Sequence, residues 1–128
     1  MKVGIFMDLL TYLGITTEAV SPEQVQLKLA VQPQVQQPYG LLHGGINAVL
    51  AETAASLGAN ASLKKPQVAV GVAVETHHLS AVTAGTLWTV ATPIRLGHQL
   101  QVWQAKTYQT PGQWTSVSTV TLKVQTLS

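Results

Sequence analysis

Cysteine is absent from this sequence of 128 residues, and charged side chains are scarce. Asp, Glu, Lys and Arg together account for 9% of the residues, whereas hydrophobic residues account for 46%. Without cysteine the chain has no disulfide framework, no thiolate nucleophile and no cysteine-ligated metal. Because so few charges are present to cover a surface, we expect part of the apolar area to be covered by another subunit.

Basic runs and long apolar runs are missing as well. The formal net charge is +2, but the seven Lys and Arg residues are scattered and form no run beside aromatic residues. This distribution argues against nucleic-acid binding and suits an anionic small ligand. No apolar run is long enough to span a membrane, so we expect no membrane association and a cytoplasmic protein. Asp8 interrupts the apolar opening, which predicts a short amphipathic helix over residues 3–13, ended by Gly14, rather than a signal peptide.

Several catalytic motifs are also absent. The sequence contains no Gly-x-Ser-x-Gly elbow, no phosphate-binding loop and no dinucleotide fingerprint. Asp8 is the only aspartate, which argues against a Ser-His-Asp triad. His77 and His78 are adjacent, and adjacent strand residues point to opposite faces, so at most one of them faces a common site. We therefore expect no metal and no other cofactor.

The pattern of apolar residues predicts a fold of the α+β class in a single domain over residues 1–128. Alternation of apolar and polar residues, with turn residues between, predicts strands at residues 15–20, 25–31, 68–74, 87–94, 100–108 and 114–124. The alternate valines of the third strand are expected to share one face. A loop over 33–40 and a long helix over about 45–61 precede that strand. Two strands, one helix and four further strands indicate an antiparallel sheet that curls around a buried helix.

The long helix holds an isolated carboxylate. From His43 to Leu63 the only charged side chain is Glu52, and small or apolar residues occupy every face. A helix that is apolar nearly all round is typically buried, and a buried unpaired charge is costly. Glu52 is therefore a candidate catalytic residue; its alternative is an ordinary solvent-facing or capping residue.

Two glycines open this helix and suggest a site for negative charge. Gly44 and Gly45 leave the first N–H groups uncovered by side chains, at the positive end of the helix dipole. Eight residues of ideal helix place Gly44 about 12 Å from Glu52, too far for both to touch one carbonyl group. If both act on one substrate, they come from two copies of the chain whose helices run antiparallel across a dimer interface.

Neighbouring residues have open alternatives. His43 is either an N-terminal cap or a group that polarises the same oxyanion. Ser56, one turn after Glu52, bonds either the carboxylate, a water beside it, or its own helix. Arg95, the only arginine, is either a bidentate phosphate partner or a solvated surface residue.

The segment from Gln37 to Gly45 (QPYGLLHGG), followed by Leu50-Ala51-Glu52 and Ser56, resembles the hotdog-fold acyl-CoA thioesterases. The resemblance is to the branch with the hydroxybenzoyl-CoA, dihydroxynaphthoyl-CoA and phenylacetate-pathway thioesterases. It continues through Val70-Gly71-Val72, His78, Pro93 to Gly97, and Gln101 to Gln104. It implies a hotdog fold, in which a curved antiparallel sheet wraps around one long central helix.

The resemblance also implies a role for each matching residue. Glu52 corresponds to the catalytic carboxylate, which is a nucleophile or the base that activates water. Gly44 corresponds to the glycine whose backbone N–H polarises the thioester carbonyl. Gln37 and His43 correspond to residues near the reacting centre, and Ser56 to the Ser/Thr position one turn past the carboxylate.

Substrate contacts and assembly follow from the same resemblance. Gly45, His78, Arg95 and His98 are expected to bind the substrate or its CoA part. The expected substrate is an acyl-CoA, with an aromatic acyl group as one option. The expected assembly is a homotetramer built as a dimer of dimers, with each site shared by two subunits.

Two positions depart from the family pattern. Glu75-Thr76-His77 stands where relatives have Asn-x-Asn, and Ser80 stands where some have an arginine that touches the nucleotide of CoA. Contacts at the CoA end are therefore expected to differ. The alternative functions are a non-catalytic binding module for acyl-CoA or an aromatic ligand, and a structural oligomer with a vestigial site.

Overall fold

The computed structural model describes residues 8–127 of the chain. In chain order, their helices and strands are α1 (Leu9–Leu13), β1 (Ile15–Val20), β2 (Val25–Ala30), α2 (Gly44–Ala61), β3 (Gln67–His78), β4 (Thr86–Leu96), β5 (Leu100–Thr110) and β6 (Gln113–Thr126). A single 3₁₀ turn, Pro33–Val35, lies in the loop before α2. The predicted strands and the predicted long helix are all present at the expected places.

All six strands belong to one sheet with the order β1-β2-β4-β5-β6-β3. Every neighbouring pair is antiparallel, and α2 packs across one face of the sheet, which we call the inner face. The α+β prediction is confirmed. β3 lies at one edge, so among residues 8–127 no strand pairs with one side of its backbone. No helix among residues 8–127 has the length and apolar character needed to cross a membrane.

Of the helix predicted for residues 3–13, the structure describes the part from Asp8 onward, and Asp8 itself is not helical. Within the described residues this helix is Leu9–Leu13, and Asp8 is its N-cap with an extended backbone (φ −91°, ψ 174°). The Asp8 carboxylate accepts a hydrogen bond of 2.8 Å from the Thr11 N–H. Hydrogen bonds from the backbone and side chain of Thr11 lower the pKa of Asp8. Residues 3–7 lie outside the described residues, and Gly14 ends the helix at φ 82° as expected.

A β-bulge changes which residues of β3 face the helix. The pairing of β3 with β6 shifts between Gly71 and Ala73. Val70, before the bulge, is 43% exposed, whereas Val74, after it, packs against the core. The prediction that the alternate valines of this strand share one face is therefore wrong. The extra residue of the bulge inverts the alternation of faces.

Only one face of α2 is buried in the single chain. The buried residues recur at helical spacing and are Ile46, Asn47, Leu50, Ala51, Ala54, Ala55, Gly58 and Ala59. This face packs on the sheet, while Gly45 and Glu52 are exposed. The prediction that the helix is buried all round is therefore wrong for a single chain. The second face remains available for another subunit to cover.

Trp103 fills the space between β5 and α2. Its side chain is fully buried, and its Nε1–H donates a hydrogen bond of 2.9 Å to Gln101 Oε1. The indole lies directly against Gly58, where an added Cβ would be 2.6 Å from Trp103 Cζ3. Position 58 is therefore glycine because the helix and the indole approach closely.

We expect Gly58→Ala to lower the free energy of unfolding by about 1–3 kcal/mol, the usual cost of overpacking a core. The loss should occur although alanine has the higher helix propensity. Urea denaturation measures the change. Thr53→Ala, at a half-buried position of α2, is the control and should shift stability by less than about 0.5 kcal/mol. A Gly58→Ala variant as stable as wild type would contradict the close packing on Trp103.

Candidate active site

His43 caps α2 and leaves the Gly44 N–H free. His43 has an extended backbone, and its Nδ1 accepts a hydrogen bond of 2.9 Å from the Gly45 N–H. The Ile46 N–H donates to the His43 carbonyl at 3.0 Å. In the described part of the chain, no atom accepts a hydrogen bond from the Gly44 N–H. Of the two alternatives for His43, the structure shows the cap, and the free N–H lies at the positive end of the helix dipole.

The His78 imidazole lies against the same turn of α2. Its Nε2 and Cε1 are both 3.0 Å from the position that a Gly44 Cβ would occupy. Its Nδ1 is 3.1 Å from Nδ2 of Asn47, which is buried on the face of α2 that packs on the sheet. A side chain at position 44 would therefore press against the imidazole, which would have to move by a few tenths of an ångström.

His77 does not share this location. Its Nε2 is 3.6 Å from Glu75 Oε1, and its side chain is 68% exposed. One member of the histidine pair thus faces the site, as the strand geometry requires. Across residues 8–127, no group of three or more His, Asp or Glu side chains is placed to hold a metal ion.

A cavity of about 390 Å³ opens beside the first turn of α2, and we call it the Gly44 cavity. Its walls are largely apolar side chains from the loop before α2 and the segment after β3. Its polar side chains are Gln37, Asn47, His78 and Ser80. The cavity therefore combines an apolar lining with hydrogen-bonding groups at the helix N-terminus, as ligand sites commonly do.

Gln37 reaches the Gly44 cavity from a tight turn. Its N–H donates to the Leu41 carbonyl at 2.7 Å, and the Gly40 N–H donates to the Gln37 carbonyl at 3.0 Å. Gly40 closes the turn with φ 83°, a conformation that favours glycine. Because Gln37 Oε1 accepts a hydrogen bond from the Tyr39 N–H, Nε2 is the end of the amide that can turn toward a ligand.

Glu52 lies on the exposed face of α2, and its carboxylate contacts β3 at Gly71. An added Cβ at Gly71 would overlap Glu52 Oε2 and lie 3.1 Å from Cδ. Gly71 is also where the bulge of β3 begins. Glycine therefore makes room for the carboxylate on the edge strand. In the described part of the chain, no Lys, Arg or His forms an ion pair with Glu52.

Ser56 and Asn60 continue the same side of the helix. Asn60 Nδ2 donates to the Ser56 carbonyl at 2.8 Å and lies 3.4 Å from Ser56 Oγ. Asn60 also pairs with both backbone groups of Ala69. Asn60 Nδ2 donates to the Ala69 carbonyl at 3.1 Å, and the Ala69 N–H donates to Asn60 Oδ1 at 2.9 Å. This amide holds the end of α2 to the β3 edge near Glu52. Asn60 was not predicted from the sequence, where its only signal is an amide among alanines.

Within one chain, the structure brings together Gln37, Gly44 and His78 but not Glu52 or Ser56. α2 is continuous from Gly44 to Ala61, so the helical rise of about 12 Å between Gly44 and Glu52 applies. Glu52 and Ser56 do not line the Gly44 cavity. Gly44 contacts β3 at His78, whereas Glu52 contacts β3 at Gly71.

Arg95 and His98 line a second cavity of about 520 Å³ at the turn between β4 and β5. The Gly97 N–H closes this turn by donating to the Leu100 carbonyl at 2.9 Å. A guanidinium and an imidazole at one opening suit an anionic group such as phosphate. This cavity shares no lining residue with the Gly44 cavity.

Comparison with known proteins identifies the family. The model of the thioesterase superfamily matches residues 39–114, which include α2, Gly44 and Glu52. The chain belongs to the thioesterase superfamily. It is therefore a thioester hydrolase, and the predicted family is confirmed.

Two relatives of known name are similar to this thioesterase in sequence. A 1,4-dihydroxy-2-naphthoyl-CoA hydrolase of Listeria monocytogenes is 34% identical over 119 residues, which cover 93% of this chain and 97% of the relative. The proofreading thioesterase EntH of Cronobacter turicensis is 33% identical over 105 residues, which cover 82% of this chain and 77% of the relative. The similarity thus extends across nearly the whole thioesterase.

Solved structures show the same fold. A thioesterase from Haemophilus influenzae superposes with a TM-score of 0.87 at 35% identity, covering 92% of this thioesterase and 82% of that chain. A mutant thioesterase from Pseudomonas aeruginosa gives a TM-score of 0.88 at 30% identity, with coverages of 93% and 86%. The hotdog fold predicted from the sequence is confirmed.

Proposed function

We propose that this thioesterase hydrolyses an acyl-CoA thioester to a free acid and CoA, with Gly44 and Glu52 as the central groups. The observation that carries this proposal is the unpartnered Gly44 N–H at the N-terminus of an 18-residue helix, beside a cavity lined by Gln37 and His78. A backbone donor in that place stabilises the oxyanion that forms when a thioester carbonyl is attacked. The Listeria relative, whose name specifies a CoA thioester, supports the same substrate class.

The reaction needs hydrogen-bond donation to the carbonyl oxygen and an attacking group at a face of the carbonyl carbon. The Gly44 N–H holds the thioester oxygen, and the His43 cap keeps this N–H free by binding the neighbouring Gly45 N–H instead. The Glu52 carboxylate either attacks the carbonyl carbon or removes a proton from an attacking water. If Glu52 attacks, the C–S bond breaks to leave a mixed anhydride with Glu52, which water then hydrolyses to the free acid and the carboxylate. If Glu52 acts as a base, the water attacks the thioester directly and the C–S bond breaks. In both cases CoA leaves as its thiolate and takes up the proton that the water loses, and Gln37 and Ser56 place the water. No metal or redox cofactor is required.

Each active site is proposed to contain residues of two subunits. The about 12 Å between Gly44 and Glu52 on one helix exceeds the roughly 3 Å separation of reacting groups. Glu52 lies on the uncovered face of α2 and against the edge strand β3. A two-fold dimer with antiparallel α2 helices would cover that face and place Glu52 beside the partner's Gly44 cavity. A homotetramer would then be a dimer of such dimers.

The CoA part of the substrate is proposed to be held away from the reacting centre. The cationic cavity with Arg95 and His98 suits the CoA phosphates, while Gly45 and His78 lie next to the thioester. We propose an aromatic acyl group, because the apolar walls of the Gly44 cavity suit a planar ring.

A panel of aliphatic and aromatic acyl-CoA esters tests the function. Purified protein is incubated with each ester, and the released thiol is measured with a chromogenic disulfide. We expect turnover with at least one aromatic ester and a lower kcat/KM for aliphatic esters of similar size. Binding of these esters without thiol release would instead establish the binding module. Turnover restricted to aliphatic esters would contradict the aromatic acyl group alone.

A further inference from the structure

Asn47 is a buried polar residue whose side chain has a partner at one end only. The residue is 5% exposed, and its Nδ2 lies 3.1 Å from His78 Nδ1. In the described part of the chain, Asn47 Oδ1 is buried without a hydrogen-bond partner. A buried acceptor left unpaired destabilises the folded protein, because it has lost its hydrogen bonds to water. Packing alone does not account for a buried amide that is paired at one end only, whereas a role for its bond to His78 does.

The orientation of the Asn47 amide determines the tautomer of His78. An NH₂ group can only donate, so His78 Nδ1 must accept, and the neutral imidazole then carries its proton on Nε2. The opposite amide orientation would require a proton on Nδ1 and would leave Nε2 as an acceptor. The two arrangements have the same shape but opposite hydrogen-bonding character at Nε2.

The Nε2 edge of His78 lies beside Gly44, whose N–H is the proposed oxyanion donor. His78 Nε2 is 3.0 Å from the position of a Gly44 Cβ, and Gly44, Asn47 and His78 line the same cavity. His43 is the other imidazole at this end of α2, but unlike His78 it does not line the Gly44 cavity. His78 is therefore the imidazole placed to supply a second donor to an oxygen bound at Gly44.

We propose that Asn47 is a positioning residue that fixes His78 as the Nε2–H tautomer. The imidazole and the Gly44 N–H then hold the thioester oxygen together, and two such donors form a complete oxyanion hole. This inference rests on the proposed function, because the oxygen to be held is that of the thioester. Asn47 carries no charge and does not react, but it affects the rate of the reaction through His78.

The tautomer is measured directly in the wild-type protein. Long-range ¹H–¹⁵N spectra of uniformly ¹⁵N-labelled protein, recorded at a pH where His78 is neutral, distinguish a proton on Nδ1 from one on Nε2. A His78→Gln sample assigns the signals by their loss. We expect the Nε2–H pattern for His78. An Nδ1–H pattern, or an equal mixture of the two, would overturn the proposal without any activity measurement.

Asn47→Asp tests the effect on catalysis because it replaces the donor with an acceptor of nearly the same shape. The carboxylate draws the imidazole proton to Nδ1, so kcat should fall by about tenfold to hundredfold while KM changes by less than about threefold. If this variant does not fold, Asn47→Leu, which leaves both the tautomer and the orientation of the His78 ring unfixed, should still lower kcat by at least about threefold. An unchanged kcat in whichever folded variant is measured would overturn the proposal.

A double-mutant cycle separates positioning from structure. His78→Gln supplies a side-chain NH₂ near the same place, whose donor does not depend on Asn47. In that background, Asn47→Asp should change kcat by less than about twofold, because the imidazole through which Asn47 acts is absent. An equal loss in both backgrounds would show that Asn47 acts through the fold. If wild type hydrolyses no thioester, the proposed function fails as well, whereas an active wild type with an Nδ1–H imidazole refutes only this inference.

Discussion

Glu52→Gln is expected to abolish most of the turnover while leaving folding and substrate binding intact. The amide keeps the size and shape of the side chain but loses the charge and the basic oxygen. It can therefore still fit against Gly71, where the wild-type carboxylate lies. We expect kcat to fall by about 10²–10⁴-fold, the usual contribution of a general base, with KM nearly unchanged. Steady-state thiol release with an aromatic CoA ester measures both constants.

The matched control for this prediction is Glu23→Gln. Glu23 is an exposed acidic residue in the turn between β1 and β2, so the same change of charge is made away from both cavities. It should leave kcat within about twofold of wild type. A Glu52→Gln enzyme within roughly tenfold of wild type, or about 1.4 kcal/mol in the barrier, would refute the catalytic role of Glu52.

The order of the secondary structure could be predicted because hydrophobic period and turn residues are local signals. The alternation of apolar and polar residues identified the strands. The turns at Gly97 and Gly112 marked the boundaries between the last three strands. The bulge at Gly71 could not be predicted in this way. An extra residue in one strand becomes visible only when its pairing partner is known, and the partner β6 begins more than 30 residues later.

The exposed face of α2 shows a second limit of local patterns. Composition predicted a helix buried on every side, yet Glu52 is exposed in the single chain. The sheet of one chain can cover only one side of a helix. The apolar composition of the other side is explained if a second subunit covers it. The spacing of apolar residues along one helix does not distinguish a face covered by its own chain from a face covered by a second subunit.

The candidate site was predictable where its residues are contiguous. Gln37, His43, Gly44 and Glu52 lie within one short segment, and their residue types suggest the chemistry. Asn47 was missed, although it lies in the same segment. Its partner His78 is 31 residues away in sequence, and only the folded sheet brings the two side chains together.

The proposal of a site shared by two subunits leads to the second large effect, which is the rescue of two inactive variants by mixing. Gly44→Pro removes the oxyanion donor at the first residue of α2, where proline is tolerated in a helix. Gly44→Ala is its matched control, since it adds the same Cβ against His78 but keeps the N–H. Gly44→Pro should be at least about tenfold slower than Gly44→Ala, because losing one oxyanion donor costs about 10²–10³-fold in kcat. Glu52→Gln disables the other half of the site.

Co-expression of Gly44→Pro and Glu52→Gln chains with different affinity tags should restore activity. Random pairing makes half of the dimers mixed, and each mixed dimer has one intact site of two, so the mixture should recover about a quarter of wild-type activity. A mixture of Glu52→Gln with Glu52→Ala is the control and should recover nothing, since neither chain supplies a carboxylate. The rescue follows from the about 12 Å between Gly44 and Glu52 on one helix. Purified mixed dimers as inactive as their parents would place both halves of the site within a single chain.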